Sequence, residues 1–134
     1  MYAWGSRSRE RMTGVNPNLI RVANRALEIS SQKKKGCVDF SIPHLGGRRS
    51  PLQQIELYEA RVSRCDGVDK RSPHQDGMAL DVVPWVNGGV PWDDEFYFHR
   101  VAVCMLQAAS ELGVKLKWGG NWRSWTDLPH YEIL

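Results

Sequence analysis

The sequence predicts an α+β domain, with helices packed on a small, mainly antiparallel sheet. Three observations carry that prediction. Two cap-plus-proline pairs, Asn16-Pro17 and Ser50-Pro51, each open a run with apolar residues at helical spacing. Short alternating or apolar runs fall between and after the helical ones, and glycine pairs punctuate them. The 134 residues suit one compact domain spanning 1–134.

Taken in order, residues 1–14 are polar and basic, with Tyr2 and Trp4 expected to pack back on the domain. Asn16 can cap a first helix, and Pro17 suits its first position because the missing N–H would be unpaired there anyway. Leu19, Ile20, Ala23, Ala26, Leu27 and Ser30 then mark one face. The helix is expected to stop before Lys33-Lys34-Lys35-Gly36, where cations complement its C-terminal dipole.

Val38 to Ile42 alternates as a half-buried strand does. Gly46-Gly47 turns the chain, and Ser50-Pro51 opens a second helix whose buried side would include Leu52, Ile55, Tyr58 and Val62. Residues 65–73 read as a polar loop. Ala79 to Trp85 reads as one buried strand, stopped by Asn87-Gly88-Gly89. Asp93 or Asp94 caps a third helix running through Phe96, Val103, Leu106, Ala109 and Leu112 to Gly113. Val114 to Trp118 and His130 to Ile133 are the last two strands. The order is α, β, α, β, α, β, β.

Composition narrows the function. Hydrophobic residues make up 42% and charged residues 25%, so a core can form and little chain remains for a separate binding module. No run of about 18 apolar residues exists, so membrane insertion is not expected. The N-terminal stretch has no apolar h-region, so a secretory signal peptide is not expected either. The net charge of +3 comes with small basic groups such as Lys33 to Lys35 and Arg48-Arg49. These read as solvated surface or as weak attraction to a polyanion. No nucleic-acid motif accompanies them, so nucleic acid is not an expected partner. Cys37, Cys65 and Cys104 form no CxxC pair. That argues against a disulfide framework or a cysteine zinc site, with Cys104 buried in a helix as a small apolar residue.

The chemistry concentrates in two stretches, SPHQDGMALD at 72–81 and DLPHYE at 127–132. Catalytic zinc takes three protein ligands and keeps one position open. His74, Asp81 and His130 supply two imidazoles and a carboxylate, and Gly77 lets the chain fold back between the first two. A carboxylate in a buried strand needs a partner, which one zinc ion would provide; a salt bridge or a backbone hydrogen bond is the other reading of Asp81. Asp76 is a rival ligand, read more simply as a turn residue.

Pro129 keeps Leu128 out of the helical region, so the segment before His130 is a turn that brings Asp127 close to His130. Asp127 could then serve as general base and acid. A fixed guanidinium at Arg49 could stabilise negative charge or hold a substrate carboxylate, while Arg48 would point to solvent. Gln54 could orient Arg49 or bind peptide backbone, or be an exposed helix glutamine. His44 and His99 lack partners at useful spacing and read as loop and helix-surface residues.

These residues resemble a known family. SPHQDGMALD keeps every fixed position of the pattern Ser-x-His-x-x-Gly-x-Ala-x-Asp. GRRSPLQQ matches Gly-x-Arg-Ser/Thr-x-x-x-Gln at Gly47, Arg49, Ser50 and Gln54, and WGGNW followed by DLPHYE resembles the C-terminal pattern. The family is that of the D-alanyl-D-alanine carboxypeptidases and dipeptidases, zinc peptidases. Within it the likeness is nearest to phage endolysins that cut the L-alanyl-D-glutamate bond of peptidoglycan, and it runs from about Ser6 to the C-terminus.

The resemblance implies the fold shared by Hedgehog domains and D-Ala-D-Ala peptidases. It implies one Zn2+ held by His74, Asp81 and His130, Asp127 as base and acid, and Arg49 on the substrate side. It further implies a monomer acting on the peptidoglycan stem peptide. Such an enzyme is held in the host cytoplasm and reaches the periplasmic wall through a holin-made lesion. The CDGVDKR loop matches no family pattern, and Arg48 stands where an aromatic residue is frequent. The same chemistry on a D-alanyl-D-alanine bond, or a zinc-containing module without hydrolysis, are the other readings.

Overall fold

Prolines open two of the four α-helices, and the computed structural model describes all 134 residues. A short helix α1 spans Ser6–Arg11 and α2 spans Pro17–Gln32. The Asn16 side chain accepts the Asn18 N–H at 2.9 Å, as the cap signal predicts. The inward face of α2 carries Leu19, Val22, Ala23, Ala26, Leu27 and Ile29. It packs against the longest helix, α4, Glu95–Leu112. Asp94 caps α4 through the Phe96 N–H, and Gly113 ends it in the left-handed conformation at φ 68°.

Between these helices lie β1, Asp39–Ser41, and α3, Pro51–Glu59. After α3 come β2, Ala79–Asp81, and β3, Val83–Trp85; β4, Leu116–Trp118, and β5, His130–Ile133, follow α4. All pairing is antiparallel, in two small sheets. One joins β1 to β3, and the other has the order β2-β5-β4. The core lies between the α2–α4 pair and these sheets. Leu80, Val82, Val101 and Met105 are fully buried in it, each worth about 1.5–3 kcal/mol relative to exposure. No helix is long and apolar enough to cross a membrane.

Two expectations need correction, and the inner face of α4 and the short helix α1 are added to them. The run Ala79 to Trp85 is two strands, not one, because the chain changes partner at Val82, whose N–H bonds Pro129 O at 2.8 Å. Pro84 then sits in a strand paired on one side only, the setting that tolerates its missing donor. The apolar residues assigned to the buried side of α3 face outward: Leu52, Tyr58 and Val62 are exposed, Ile55 is half-buried, and the one fully buried side chain is Gln54. On α4, Phe96, Val103 and Leu106 are likewise exposed, and the inner face is Phe98, Val101, Ala102, Cys104, Met105, Ala108 and Ala109. Finally, α1 has no apolar period to announce it. Its buried residue is Ser8, whose hydroxyl accepts the Ile42 N–H at 3.0 Å.

Other expectations hold. Trp4 is buried, donating from its indole to Asn24 Oδ1 at 2.8 Å, and Tyr2 is half-buried. Cys104 is buried and all three cysteines are free thiols.

Candidate metal centre

Strand register sets the first half of the site. Asp81 ends β2 and lies directly opposite His130, which begins β5. Residues opposite each other in an antiparallel pair project to the same face, so the carboxylate and imidazole meet without any special loop.

His74 comes from a 3₁₀ turn, Pro73–Asp76. Ser72 caps it, accepting the His74 N–H at 3.2 Å, and the Gln75 side chain returns to the Ser72 N–H at 2.9 Å. Gly77 ends the turn at φ 71°, and a Cβ there would lie 2.5 Å from Gly14 O. Only glycine lets the chain reverse so tightly against that backbone and still deliver His74 and Asp81 to one point.

Three ligand-type atoms, one each from His74, Asp81 and His130, lie within 4.8 Å of one another. His74 Nε2 is 3.2 Å from His130 Nδ1 and 3.2 Å from Asp81 Oδ1, and His130 Nδ1 is 3.5 Å from that oxygen. The outer nitrogens fix what the inner ones carry. His74 Nδ1 faces Gly47 O at 2.9 Å, and His130 Nε2 faces Glu132 Oε1 at 2.9 Å. Both partners only accept, so each outer nitrogen bears the proton and each neutral ring turns a lone pair inward. Asp81 Oδ1 is buried and has no donor in hydrogen-bond geometry. Three lone-pair donors aimed at one another repel unless a cation or a proton sits among them. The set fits a metal ion with two nitrogen ligands and one oxygen ligand.

In the metal-free protein a proton takes the place of the cation. Burial on its own would raise the Asp81 pKa, but the two imidazoles outweigh it and hold the carboxylate far below its usual range. For His130, burial pulls downward, yet Asp81 and Glu132 push it up to about 9 in the metal-free protein. The hydrogen bond from His130 holds Glu132 below its ordinary value.

Arg49 and Asp127 border this centre. Arg49 Nη2 lies 3.3 Å from Asp81 Oδ2, so the buried carboxylate does have a cationic partner within the protein, and one oxygen is left for the centre. The same guanidinium donates to Leu45 O at 2.7 Å and to Gln54 Oε1 at 3.0 Å. Asp127 Oδ2 stands 4.0 Å from His130 Nδ1, and the turn is closed by His130 N–H to Asp127 O at 3.1 Å. Burial raises the Asp127 pKa and the charge of Asp81 adds to it, against the pull of His130, His74 and Arg49.

Gln54 is the orienting residue and not an exposed one. Asp76 is exposed and bound to Arg71 at 2.8 Å, away from the donor set. His44 is exposed in a loop, His99 is exposed on α4 with its ring against Trp118, and Arg48 is exposed. Sequence reasoning left Glu132 without a role; its signal was the i, i+2 spacing from His130, which places both on one face of a strand. His74, Asp81, His130, Arg49 and Asp127 open into a cleft of about 790 Å³ whose walls include Arg64, Lys70, Trp122 and Trp125.

Two histidines and a carboxylate at the floor of an open cleft are, by their chemistry, the donor set of a metallohydrolase. The chain belongs to the phage L-alanyl-D-glutamate peptidase family, whose model matches residues 1–133. It is 34% identical over 132 residues to the L-alanyl-D-glutamate peptidase of Escherichia phage T5, covering 98% of this chain and 89% of that one. The crystal structure of Serratia marcescens L-Ala D-Glu endopeptidase ChiX superposes with a TM-score of 0.80 at 34% identity, covering 98% of this chain and 90% of that one. DacB from Streptococcus pneumoniae D39 shares the fold at a TM-score of 0.53 and 19% identity, over 95% of this chain and 70% of that one.

Proposed function

We propose that residues 1–134 form one zinc peptidase domain that hydrolyses the L-alanyl-D-glutamate bond of the peptidoglycan stem peptide and so lyses the bacterial wall. The observation that carries this reading is the convergence of two imidazole lone pairs on a buried, donorless carboxylate oxygen. The activities named for the phage T5 and Serratia relatives support the choice of bond.

His74, Asp81 and His130 hold the ion. Zinc supplies, when bound, a Lewis acid and a water that ionises near neutral pH. Asp127 is the base: its Oδ2 takes a proton from the attacking water and returns it to the leaving amine nitrogen. In the metal-free protein, burial and the neighbouring Asp81 charge raise its pKa. Arg49 is fixed by Leu45, Gln54 and Asp81, and offers positive charge beside the forming oxyanion. The protein waits in the host cytoplasm, passes through a holin lesion and works in the periplasm as a monomer, without nucleic acid and without entering the membrane.

Mass spectrometry of purified peptidoglycan after digestion tests the bond. New N-terminal glutamate is the expected product. Free D-alanine or its dipeptide as sole product would instead make the protein a D,D-carboxypeptidase or dipeptidase. Metal analysis should find one zinc per chain, with activity lost to chelation and restored by zinc; full activity in metal-free protein would overturn the scheme.

A further inference from the structure

The cleft must do more than hold a metal, because a glutamate on the leaving side of the bond brings its own negative charge. Linking its amine leaves both carboxyl groups outside the scissile bond, and at least one stays ionised when the chain continues through the other. The cleft walls carry four lysine and arginine cations, and two of them already pair with carboxylates. Arg49 pairs with Asp81 at 3.3 Å and is already assigned to the forming oxyanion. Arg71 is spent on Asp76, at 2.8 Å. Lys70 sits on a polar loop tied by Asp66, which accepts the Val68 and Lys70 backbone N–H groups at 2.9 Å, and its side chain has no fixed neighbour.

Arg64 differs. Its guanidinium lies over the Trp125 ring, 5.0 Å from the centroid, and no carboxylate or carbonyl of the protein accepts from it. The contact holds the exposed group against the cleft wall and leaves its N–H groups free for a carboxylate. The backbone beneath is also fixed. Gln54 is fully buried, and its Nε2 donates at 2.8 Å to Ser63 Oγ and at 2.8 Å to Cys65 O, the two residues that flank Arg64. Its Oε1 accepts from Arg49. One buried amide therefore ties the Arg64 loop to the guanidinium that touches Asp81.

We propose that Arg64, stacked on Trp125 at the wall of the cleft and braced from below by Gln54, takes a free glutamate carboxylate of the substrate and selects for it. The proposal rests on the peptidase reading above. It makes Arg64 a specificity-determining residue and Gln54 the positioning residue that sets its distance from the metal centre.

The test uses metal-loaded protein and three synthetic peptides: one with an L-alanyl-D-glutamate bond, and two in which each glutamate carboxylate in turn is a carboxamide. The native protein is expected to lose about tenfold or more in kcat/KM on one of the two amides, the worth of a charge-assisted hydrogen bond. Arg64→Ala should bring kcat/KM for the parent peptide down to the level of that amide, chiefly through KM, and Arg64→Lys should recover part of the preference. An Arg64→Ala variant that keeps the full preference overturns the proposal, as does loss of the preference in Lys70→Ala and not in Arg64→Ala. A native protein that cuts none of the three peptides would end the peptidase reading itself.

Discussion

Glu132 accepts the Nε2–H of His130 at 2.9 Å, from two residues further along the same face of β5. The contact holds the ring in the tautomer whose Nδ1 points at Asp81, and a negative partner makes that nitrogen a better donor to a cation. Gly47 O does the first of these tasks for His74, without the charge.

Removing this partner should therefore weaken metal binding without touching a ligand. Glu132→Ala is expected to lower zinc affinity by about 10–100-fold, with Glu132→Gln intermediate because it keeps an acceptor but not the charge. Competition with a chromophoric chelator measures it. Unchanged affinity in Glu132→Ala would mean that the ring is oriented by packing against Trp122, whose ring lies 5.0 Å away.

The metal-free protein should carry the proton that the metal displaces. His130 has its pKa raised to about 9 in the fold, from an ordinary 6.5. A raised pKa contributes stability that is fully present below about pH 6.5 and lost as pH rises through about 9, on the order of 3 kcal/mol in total. Chelator-treated protein should thus lose thermal stability between pH 6.5 and 9. Zinc-loaded protein should not follow it, because the ion replaces the proton. Parallel melting curves across that range compare the two, and a flat metal-free profile would contradict the arrangement.

Much of this site was legible because its determinants are local. Ser72 and Gly77 bracket a tight turn that returns Asp81 towards His74, whereas Asp81 meets His130 only through the β2–β5 pairing, which the family resemblance implies and local spacing does not. Caps such as Asn16 and Ser50 act on N–H groups two or three residues away and read directly. The inner faces of α3 and α4 were not legible, because a helix face is chosen by what lies across from it. On α3 that is Arg49 and the loop at Ser63–Cys65, so a glutamine goes inward and Leu52 goes out. The break at Val82 depends likewise on Pro129, 47 residues on, which no local pattern reveals.

Gly47 ties the N-terminal segment to the centre. A Cβ there would lie 1.8 Å from Arg11 O, a backbone atom held in place as the Arg11 side chain donates to Ile42 O at 2.8 Å. Gly47→Ala must push the two segments apart, at a cost of about 1–3 kcal/mol or more. The same shift moves the carbonyl that orients His74, so zinc affinity should fall with stability. Denaturant midpoints with and without zinc separate the two effects, and a variant that unfolds like the native protein in both would show that the backbone yields freely.

Gln54→Leu keeps the volume and removes the amide. It leaves an Arg49 N–H without its acceptor in a buried setting, costing about 1–3 kcal/mol. Stability and kcat/KM should both drop, whereas zinc content should hold because none of the three donors moves. Native kinetics in a folded Gln54→Leu protein would show that Arg49 is held well enough by Leu45 and Asp81.

Asp127 discriminates catalysis from binding. It stands 4.0 Å from His130 Nδ1, too far for a hydrogen bond and close enough to face a group held by the three donors. A module that only bound zinc would have no use for a half-buried carboxylate at that spot. Asp127→Ala should retain the metal, because the donor set is intact, and lose roughly 10²–10⁴-fold in kcat, the usual worth of a positioned base. Asp127→Asn should fare no better, since the amide keeps the shape but cannot take a proton. The measurements are metal content and lysis of permeabilised cells on the same preparations. Native lysis by zinc-loaded Asp127→Ala would remove Asp127 from the mechanism, and zinc loss in that variant would make it a ligand.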